Sequence, residues 1–140
     1  MAAPTETLDV KYIADEVVAS LAGHTQISTF SSRPAGLTLA QAYRVTPLLR
    51  AAFEARGEKI AGRKIGFTNR EMWKVYGVQS PIWGYVTDRT TDELASTPAL
   101  RIKDFVAPRI EPEIIFGLKT APSPDTVSYT HLTLPTILLV

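Results

Sequence analysis

The sequence KIAGRKIGFTNREMWKVYG, residues 59–77, has the pattern of a strand followed by a short helix. Residues 59–67 alternate as in a β-strand, and the alternation places Lys64 on the same face as Gly62 and Gly66. Most strand lysines point into water, but flanking glycines leave room for a ligand to approach the ammonium group and the backbone. Lys64 is therefore a candidate catalytic and substrate-binding residue.

A short helix and a second strand follow this segment. Thr68 and Glu71 have the spacing of a capping box, which predicts the start of the helix, and Gly77 ends it. The helical residues predicted to face the core are Met72, Trp73 and Tyr76. Residues 81–86 form an apolar strand, and Asp88 follows its end. Such an aspartate is most often a solvated turn residue, and we also take Asp88 as a candidate substrate-binding residue.

Two amphipathic helices are predicted before this region. Residues 10–21 repeat apolar side chains at helical spacing. The second helix begins after Thr38, whose side chain can cap the backbone while Gln41 reaches back to it, and ends at Gly57. Its apolar stripe consists of Leu39, Ala42, Leu49 and Phe53. Pro47 removes one backbone donor and should kink this helix.

The strongest chemical feature is RIEPEIIF, residues 109–116. Residues 110–118 have the pattern of a third strand, in which Glu111 and Glu113 project from one face about 7 Å apart. Two carboxylates so close repel each other unless one takes a proton or a cation lies between them, and a hard cation such as Mg²⁺ prefers oxygen ligands. A solvated strand face is the alternative explanation of the same pair.

Composition excludes several classes of function. The 140 residues include 15 Lys and Arg against 14 Asp and Glu, so the chain has no net field that would recruit nucleic acid or an anionic membrane. There are no cysteines, which excludes disulfides and thiolate metal sites. We find no secretory signal and no apolar run of about 20 residues, and we expect a cytoplasmic protein with small-molecule partners.

Three sequence blocks, in this order and spacing, carry a family resemblance. They are GRKIGFT at 62–68, YGV with PIWGY within 76–85, and PRIEPEI at 108–114. Together they resemble the 2-keto-4-pentenoate hydratase and 4-oxalocrotonate decarboxylase group of the fumarylacetoacetase superfamily. An earlier block, GLTL at 36–39, is similar to a helix start in that group.

The resemblance implies an α+β fold. A helical N-terminal part would occupy residues 1–57, and residues 58–126 would begin a fumarylacetoacetase-like mixed β-roll that is incomplete. It also implies that Glu111 and Glu113 are two of three carboxylate ligands of Mg²⁺ or Mn²⁺, and that Lys64 lines the substrate pocket. The third ligand would come from a later strand.

The activity implied by the resemblance is a metal-dependent hydratase. It would add water to a 2-hydroxy-2,4-dienoate in the meta-cleavage catabolism of aromatic compounds, with a 2-keto acid as substrate and a homo-oligomer as the full-length form. A 2-oxo-3-hexenedioate (4-oxalocrotonate) decarboxylase and a carbon–carbon hydrolase of the same superfamily are the alternatives. All three would use the same two glutamates.

The last residues, 127–140, differ from the rest of the chain. Their sequence VSYTHLTLPT resembles the translation of a transposase sequencing adapter. We therefore expect a non-native tail, a natural sequence that is cut near Thr126, and a catalytic domain without its third ligand. The alternative hypothesis for the function of this chain is therefore a catalytically inactive fragment. Such a fragment would self-associate or bind a partner through uncovered core surface.

Overall fold

The computed structural model describes residues 9–118, which fall into two units divided between Ala107 and Pro108. The elements of the first unit are α1 (Val10–Ala22), α2 (Leu39–Ala55), β1 (Ile60–Gly66), α3 (Glu71–Tyr76) and β2 (Ile82–Thr87), with single 3₁₀ turns at Phe30–Ser32, Asp88–Thr90 and Ile102–Asp104. Helices beside a small sheet agree with the α+β class, and the β-roll stays a prediction. The predicted domain boundaries also stay predictions, and the predicted tail at 127–140 lies outside the described residues.

The core of the first unit lies between the two long helices. Asp9 caps α1 by accepting a hydrogen bond from the backbone N–H of Lys11 at 2.9 Å. One face of α1 buries Ile13 and Ala14 against Val45 of α2. Val10, Val17, Phe30, Leu37 and Leu49 pack partly buried around these three residues. The helical pair is therefore held by a small apolar cluster.

The start of α2 confirms the predicted cap. The backbone N–H of Gln41 donates to Thr38 Oγ1 at 3.2 Å, and the N–H of Thr38 donates to Gln41 Oε1 at 2.9 Å. Pro47 lies inside a helix that continues to Ala55. The predicted apolar stripe is partly wrong, because the buried residue is Val45 and Leu39 is 54% exposed. Leu39 and Val45 are six positions apart, which puts them on different helix faces.

An ion pair ties the loop between α1 and α2 to α1. Arg33 donates from Nη1 and Nη2 to the two carboxylate oxygens of Glu16, at 2.8 and 2.6 Å. The Arg33 guanidinium also lies 4.2 Å from the centroid of the Phe30 ring. Because the hydrogen bond from Arg33 stabilises the charged carboxylate, it holds the pKa of Glu16 below its usual range. The ion pair with ionised Glu16 therefore favours this loop conformation.

β1 and β2 form a two-stranded antiparallel sheet. Lys64 is paired with Gly84, and the flanking pairs are Gly62 with Val86 and Gly66 with Ile82. Side chains of directly paired residues share a face, and neighbours along a strand alternate between faces. The register therefore confirms that Lys64 shares a face with the two glycines of β1.

α3 ends as predicted but begins differently. Gly77 follows it with a φ of 65°, in the left-handed region that favours glycine. The predicted capping box is wrong, because the helix starts at Glu71, whose N–H is accepted at 3.0 Å by Asn69 Oδ1 and not by Thr68. The predicted core face is also mostly wrong. Met72 and Tyr76 are 38% and 61% exposed, whereas Trp73 is half-buried.

The third predicted strand is wrong for the described chain. Residues 108–118 have no regular secondary structure. A strand is completed by hydrogen bonds to a neighbour, and within the described residues the only β pairing is between β1 and β2. Among residues 9–118, no helix has both the length and the apolar character that crossing a bilayer requires.

Candidate functional site

Lys64 lies in the middle of β1, on a face that it shares with three glycines and with the side chains of Val86 and Ile82. Its partner Gly84 leaves space beside it, since a Cβ added there would meet nothing within 4 Å in the described part of the chain. A Cβ at Gly62 or Gly66 would meet only ordinary contacts at 3.6 Å, with side-chain carbons of Val86 and Ile82 respectively. Packing therefore does not require glycine at these positions, and the Lys64 face is open enough for a ligand to approach.

The opposite face of the hairpin is covered by aromatic and cationic side chains. The Arg63 guanidinium lies 4.5 Å from the Trp83 ring centroid and 5.6 Å from that of Tyr85. From α2, Tyr43 stacks on Trp83 at 5.6 Å, and its hydroxyl accepts a hydrogen bond from the Trp83 backbone N–H at 3.2 Å. Arg50 reaches the Tyr85 ring at 5.7 Å. α2 thus packs on the Arg63 face and leaves the Lys64 face uncovered by it.

Phe67, directly after β1, has an unusual backbone. Its φ is 55°, in the left-handed region that bulky residues rarely adopt. Such a conformation costs roughly 1–3 kcal/mol and persists only when the surroundings hold it in place. The indole Nε1 of Trp73 donates to the Phe67 carbonyl oxygen at 2.7 Å, and the Phe67 and Tyr76 rings meet edge to face at 5.4 Å. The sequence did not predict this turn or its contacts, because an aromatic residue such as Phe67 gives no signal for a positive φ.

Asp88 closes the other end of the hairpin. Its backbone N–H donates to the Lys59 carbonyl at 2.9 Å, and its Oδ1 accepts from the Lys59 N–H at 3.0 Å. Asp88 lies four residues beyond Gly84, roughly 13 Å along the strand from the partner of Lys64. The structure therefore gives the Asp88 carboxylate a role in closing the sheet and does not place it beside Lys64. Its substrate-binding role stays a prediction.

The two glutamates lie in the second unit. Glu111 and Glu113 are exposed and separated by Pro112 in an irregular segment. The strand geometry that would put both carboxylates on one face is thus not formed by the described residues. Their oxygen donors suit a hard divalent cation as part of a ligand set. Within residues 9–118, no group of three or more His, Cys, Asp or Glu could hold a metal ion, and the metal-binding role stays a prediction.

Two surface depressions of about 500 and 520 Å³ lie on the first unit. The first is formed by α3 and the turn after it, with Trp73 between the cations Arg70 and Lys74. The second is lined by the apolar side chains of Leu94, Leu100 and Phe105 together with four polar or charged residues. The predicted site residues line neither depression.

Comparison with known proteins identifies relatives of this chain. No protein-family model matches the chain. The chain is 32% identical over 83 residues to 2-hydroxyhexa-2,4-dienoate hydratase of Comamonas testosteroni, covering 59% of this chain and 31% of the relative. It is 27% identical over 110 residues to 2-hydroxypent-2,4-dienoate hydratase of Pseudomonas putida, covering 79% and 49%. It is 36% identical over 86 residues to 4-oxalocrotonate decarboxylase of Pseudomonas sp. strain CF600, covering 59% and 31%.

The chain is related to these hydratases and decarboxylases. The resemblance found in the sequence is thereby confirmed, and the relatives are enzymes. The chain spans about a third to a half of their length, from 31% to 49%.

Solved structures agree with this relationship. The 4-oxalocrotonate decarboxylase from Pseudomonas putida G7, complexed with magnesium and adipate, matches with a TM-score of 0.55 at 31% identity, over 59% of this chain and 33% of the decarboxylase. The same enzyme complexed with calcium and acetate matches equally well, with a TM-score of 0.55. The described fold is thus similar to part of a decarboxylase that binds divalent metal ions.

Proposed function

We propose that this chain is part of a hydratase that adds water to a 2-hydroxy-2,4-dienoate in the meta-cleavage catabolism of aromatic compounds. The observation that carries the proposal is the similarity to 2-hydroxypent-2,4-dienoate hydratase over 79% of the chain. The open Lys64 face supports it, because a planar dienoate can approach an ammonium group across glycines. In this proposal a small 2-keto acid is the substrate, and neither nucleic acid nor membrane is a partner.

In the proposed enzyme, Glu111 and Glu113 contribute two carboxylate ligands for Mg²⁺ or Mn²⁺. The metal complexes of the related decarboxylase support a divalent ion. A bound divalent ion would supply a Lewis acid for the keto acid oxygens. The two exposed carboxylates have suitable chemistry, and the remaining ligands would come from outside the described residues.

The proposed role of Lys64 is to bind the substrate carboxylate or to move a proton. An ammonium group is a compact charge with three donors, and a desolvated lysine can also act as an acid or base. Asp88 is proposed as a second substrate contact, a role that would require it to release Lys59 or to use its other carboxylate oxygen. The two roles of Lys64 differ in their kinetic consequences.

The larger architecture belongs to the same proposal. A helical part at residues 1–57 would precede a mixed β-roll that begins at residue 58, and the full-length enzyme would be a cytoplasmic homo-oligomer. The structural similarity to part of a decarboxylase supports this arrangement.

A second candidate function is decarboxylation of 2-oxo-3-hexenedioate. It is favoured by the 36% identity to 4-oxalocrotonate decarboxylase and by the match to the decarboxylase structure. The two reactions share a metal-bound keto acid and differ in whether water is added or CO₂ is lost.

The test uses the complete product of the gene that encodes this chain. Purified protein is assayed with 2-hydroxypenta-2,4-dienoate and with 2-oxohex-3-enedioate, with Mg²⁺ and after treatment with a chelator. Hydration that requires Mg²⁺ is the expected result. Release of CO₂ from the second substrate alone would favour the decarboxylase, and a protein inert toward both substrates would refute the proposal.

A further inference from the structure

The backbone around Lys64 is one that needs external support. Gly62 and Gly66 flank it on β1, and glycine leaves the backbone more conformational freedom than any other residue. The ladder with β2 ends at the pair of Gly66 with Ile82. The position of Lys64 therefore depends on its pairing with Gly84 and on what holds the two ends of β1.

Each end of β1 is held by a side-chain hydrogen bond to the backbone. At the start, Asp88 Oδ1 accepts from the Lys59 N–H at 3.0 Å. At the exit, Trp73 Nε1 donates to the Phe67 carbonyl at 2.7 Å in a half-buried contact. The exit is the unusual end, because Phe67 has a φ of 55°.

Three other turns of the described chain meet this backbone requirement with glycine, and one uses His24, whose φ is 49°. Gly36, Gly57 and Gly77 have φ values of 61°, 81° and 65°. Phe67 instead keeps a bulky side chain in a strained conformation that its neighbours must maintain. Strained residues that the surroundings hold in place cluster at functional sites.

We propose that Trp73 is a positioning residue for Lys64. By binding the Phe67 carbonyl, its indole holds the left-handed turn at the exit of β1 and thereby fixes the backbone that carries Lys64. The proposal rests on the function proposed for Lys64, but the position of Lys64 can be measured without any turnover.

The decisive measurement is the acylation rate of Lys64 relative to Lys59. The 140-residue chain is treated briefly with acetic anhydride, and the modified peptides are quantified by mass spectrometry. Trp73→Phe keeps an aromatic ring but loses the donor. Because a loosened strand exit would alter the surroundings of the Lys64 ammonium more than those of Lys59, the ratio should then change by about two- to tenfold, the range that the net contribution of one hydrogen bond allows.

A second substitution tests whether Trp73 acts on Lys64 through the turn at Phe67. Asn tolerates the left-handed region better than Phe, so Phe67→Asn should keep the turn without help from Trp73. The double variant Phe67→Asn/Trp73→Phe should therefore return the ratio of Lys64 to Lys59 to the wild-type value. Lys74→Met, on the same helix, is the control that should leave the ratio unchanged.

The outcomes separate this inference from the function. An unchanged ratio in a folded Trp73→Phe variant, or a double variant without rescue, overturns the positioning role whatever the activity. If Trp73→Phe alone fails to fold, the double variant Phe67→Asn/Trp73→Phe decides: a folded protein with the wild-type ratio supports the proposal, and a double variant that also fails to fold or has an altered ratio overturns it. In an active complete protein, Trp73→Phe should lower kcat/KM by a similar factor, and Phe67→Asn should restore it.

Discussion

The two units differ in whether any of their described apolar side chains are fully buried: a few are in the first unit, although others there are exposed, and none are in the second. In the first unit, Ile13 is 2% and Val45 5% exposed, because α1 and α2 present apolar faces to each other. In the second, Ile110 is 96% and Ile114 82% exposed. Apolar side chains are buried only where another element supplies a facing surface. The difference shows that an apolar pattern specifies the need for a packing partner and not the partner itself.

The strands show the same contrast. β1 and β2 each find the other within the chain, with Lys64 opposite Gly84. Residues 110–118 have an equally clear strand pattern and no regular structure. If their partner strand lies elsewhere in the complete enzyme, the two glutamates acquire their strand geometry only there. Substitutions in the two units can test this difference in strand pairing.

The largest expected effect concerns the second unit. In the complete gene product, Glu111→Gln or Glu113→Gln should weaken Mg²⁺ binding by more than the roughly 10- to 100-fold that loss of an outer-shell partner costs. Each change removes a charged oxygen donor and nearly keeps the shape. Isothermal titration calorimetry measures the affinity, and activity should fall with it. Unchanged affinity in both variants would exclude the glutamates as ligands.

Lys64→Met tests the first unit, and it should affect turnover without affecting metal binding. It should leave Mg²⁺ affinity unchanged and reduce turnover in the complete gene product. A lysine that transfers a proton should lower kcat by roughly 10²- to 10⁴-fold, whereas one that binds the substrate carboxylate should raise KM and leave kcat nearly unchanged.

The matched control for Lys64→Met is Lys59→Met. Lys59 contacts Asp88 through backbone atoms that the substitution keeps, so both kinetic constants should stay near wild type. Arg63, the neighbour on the opposite face, is a poor control. Its guanidinium packs on Trp83 and Tyr85, and its loss would disturb the sheet. A Lys59→Met enzyme as impaired as Lys64→Met would remove the special role of Lys64.

A pair of identical substitutions compares burial in the two units directly. Ile13→Ala should lower the free energy of unfolding by about 2–5 kcal/mol, because it leaves a cavity between α1 and α2. Ile110→Ala should change it by less than about 0.5 kcal/mol in the 140-residue chain. Urea unfolding followed by circular dichroism measures both. A large cost of Ile110→Ala in the complete gene product, but not in the 140-residue chain, would show that residues outside this chain pack against Ile110.

The smallest effect is the pH dependence of the Glu16 ion pair. The folded pKa of Glu16 is lowered, so its contribution to stability is present above the ordinary value of 4.5 and is lost as pH falls through the folded value. Wild type should lose more stability than Glu16→Gln when the pH is lowered from neutral to below 4.5. Urea midpoints at the two pH values measure the difference. Parallel losses in both proteins would show that the pair does not link loop stability to pH.

Local sequence signals determined much of the first unit. The capping box of Thr38 and Gln41, the glycine after α3 and the alternation around Lys64 are all as predicted. Each depends on interactions between residues a few positions apart, or on backbone preferences of single residues. Such signals are complete within a short window of sequence. They failed at the start of α3, where Asn69 competes with Thr68 for the same role.

Only the tertiary structure decided which distant residues meet. The pairing of Lys64 with Gly84, the bond between Asp88 and Lys59 and the packing of Tyr43 on Trp83 each join positions 20 to 40 residues apart. Composition and periodicity do not encode which distant residue a side chain contacts, because several surfaces of similar polarity could pack against it. Residues 110–118 show the limit most clearly: their strand pattern is evident in the sequence, but a strand forms only when a second backbone supplies the hydrogen bonds.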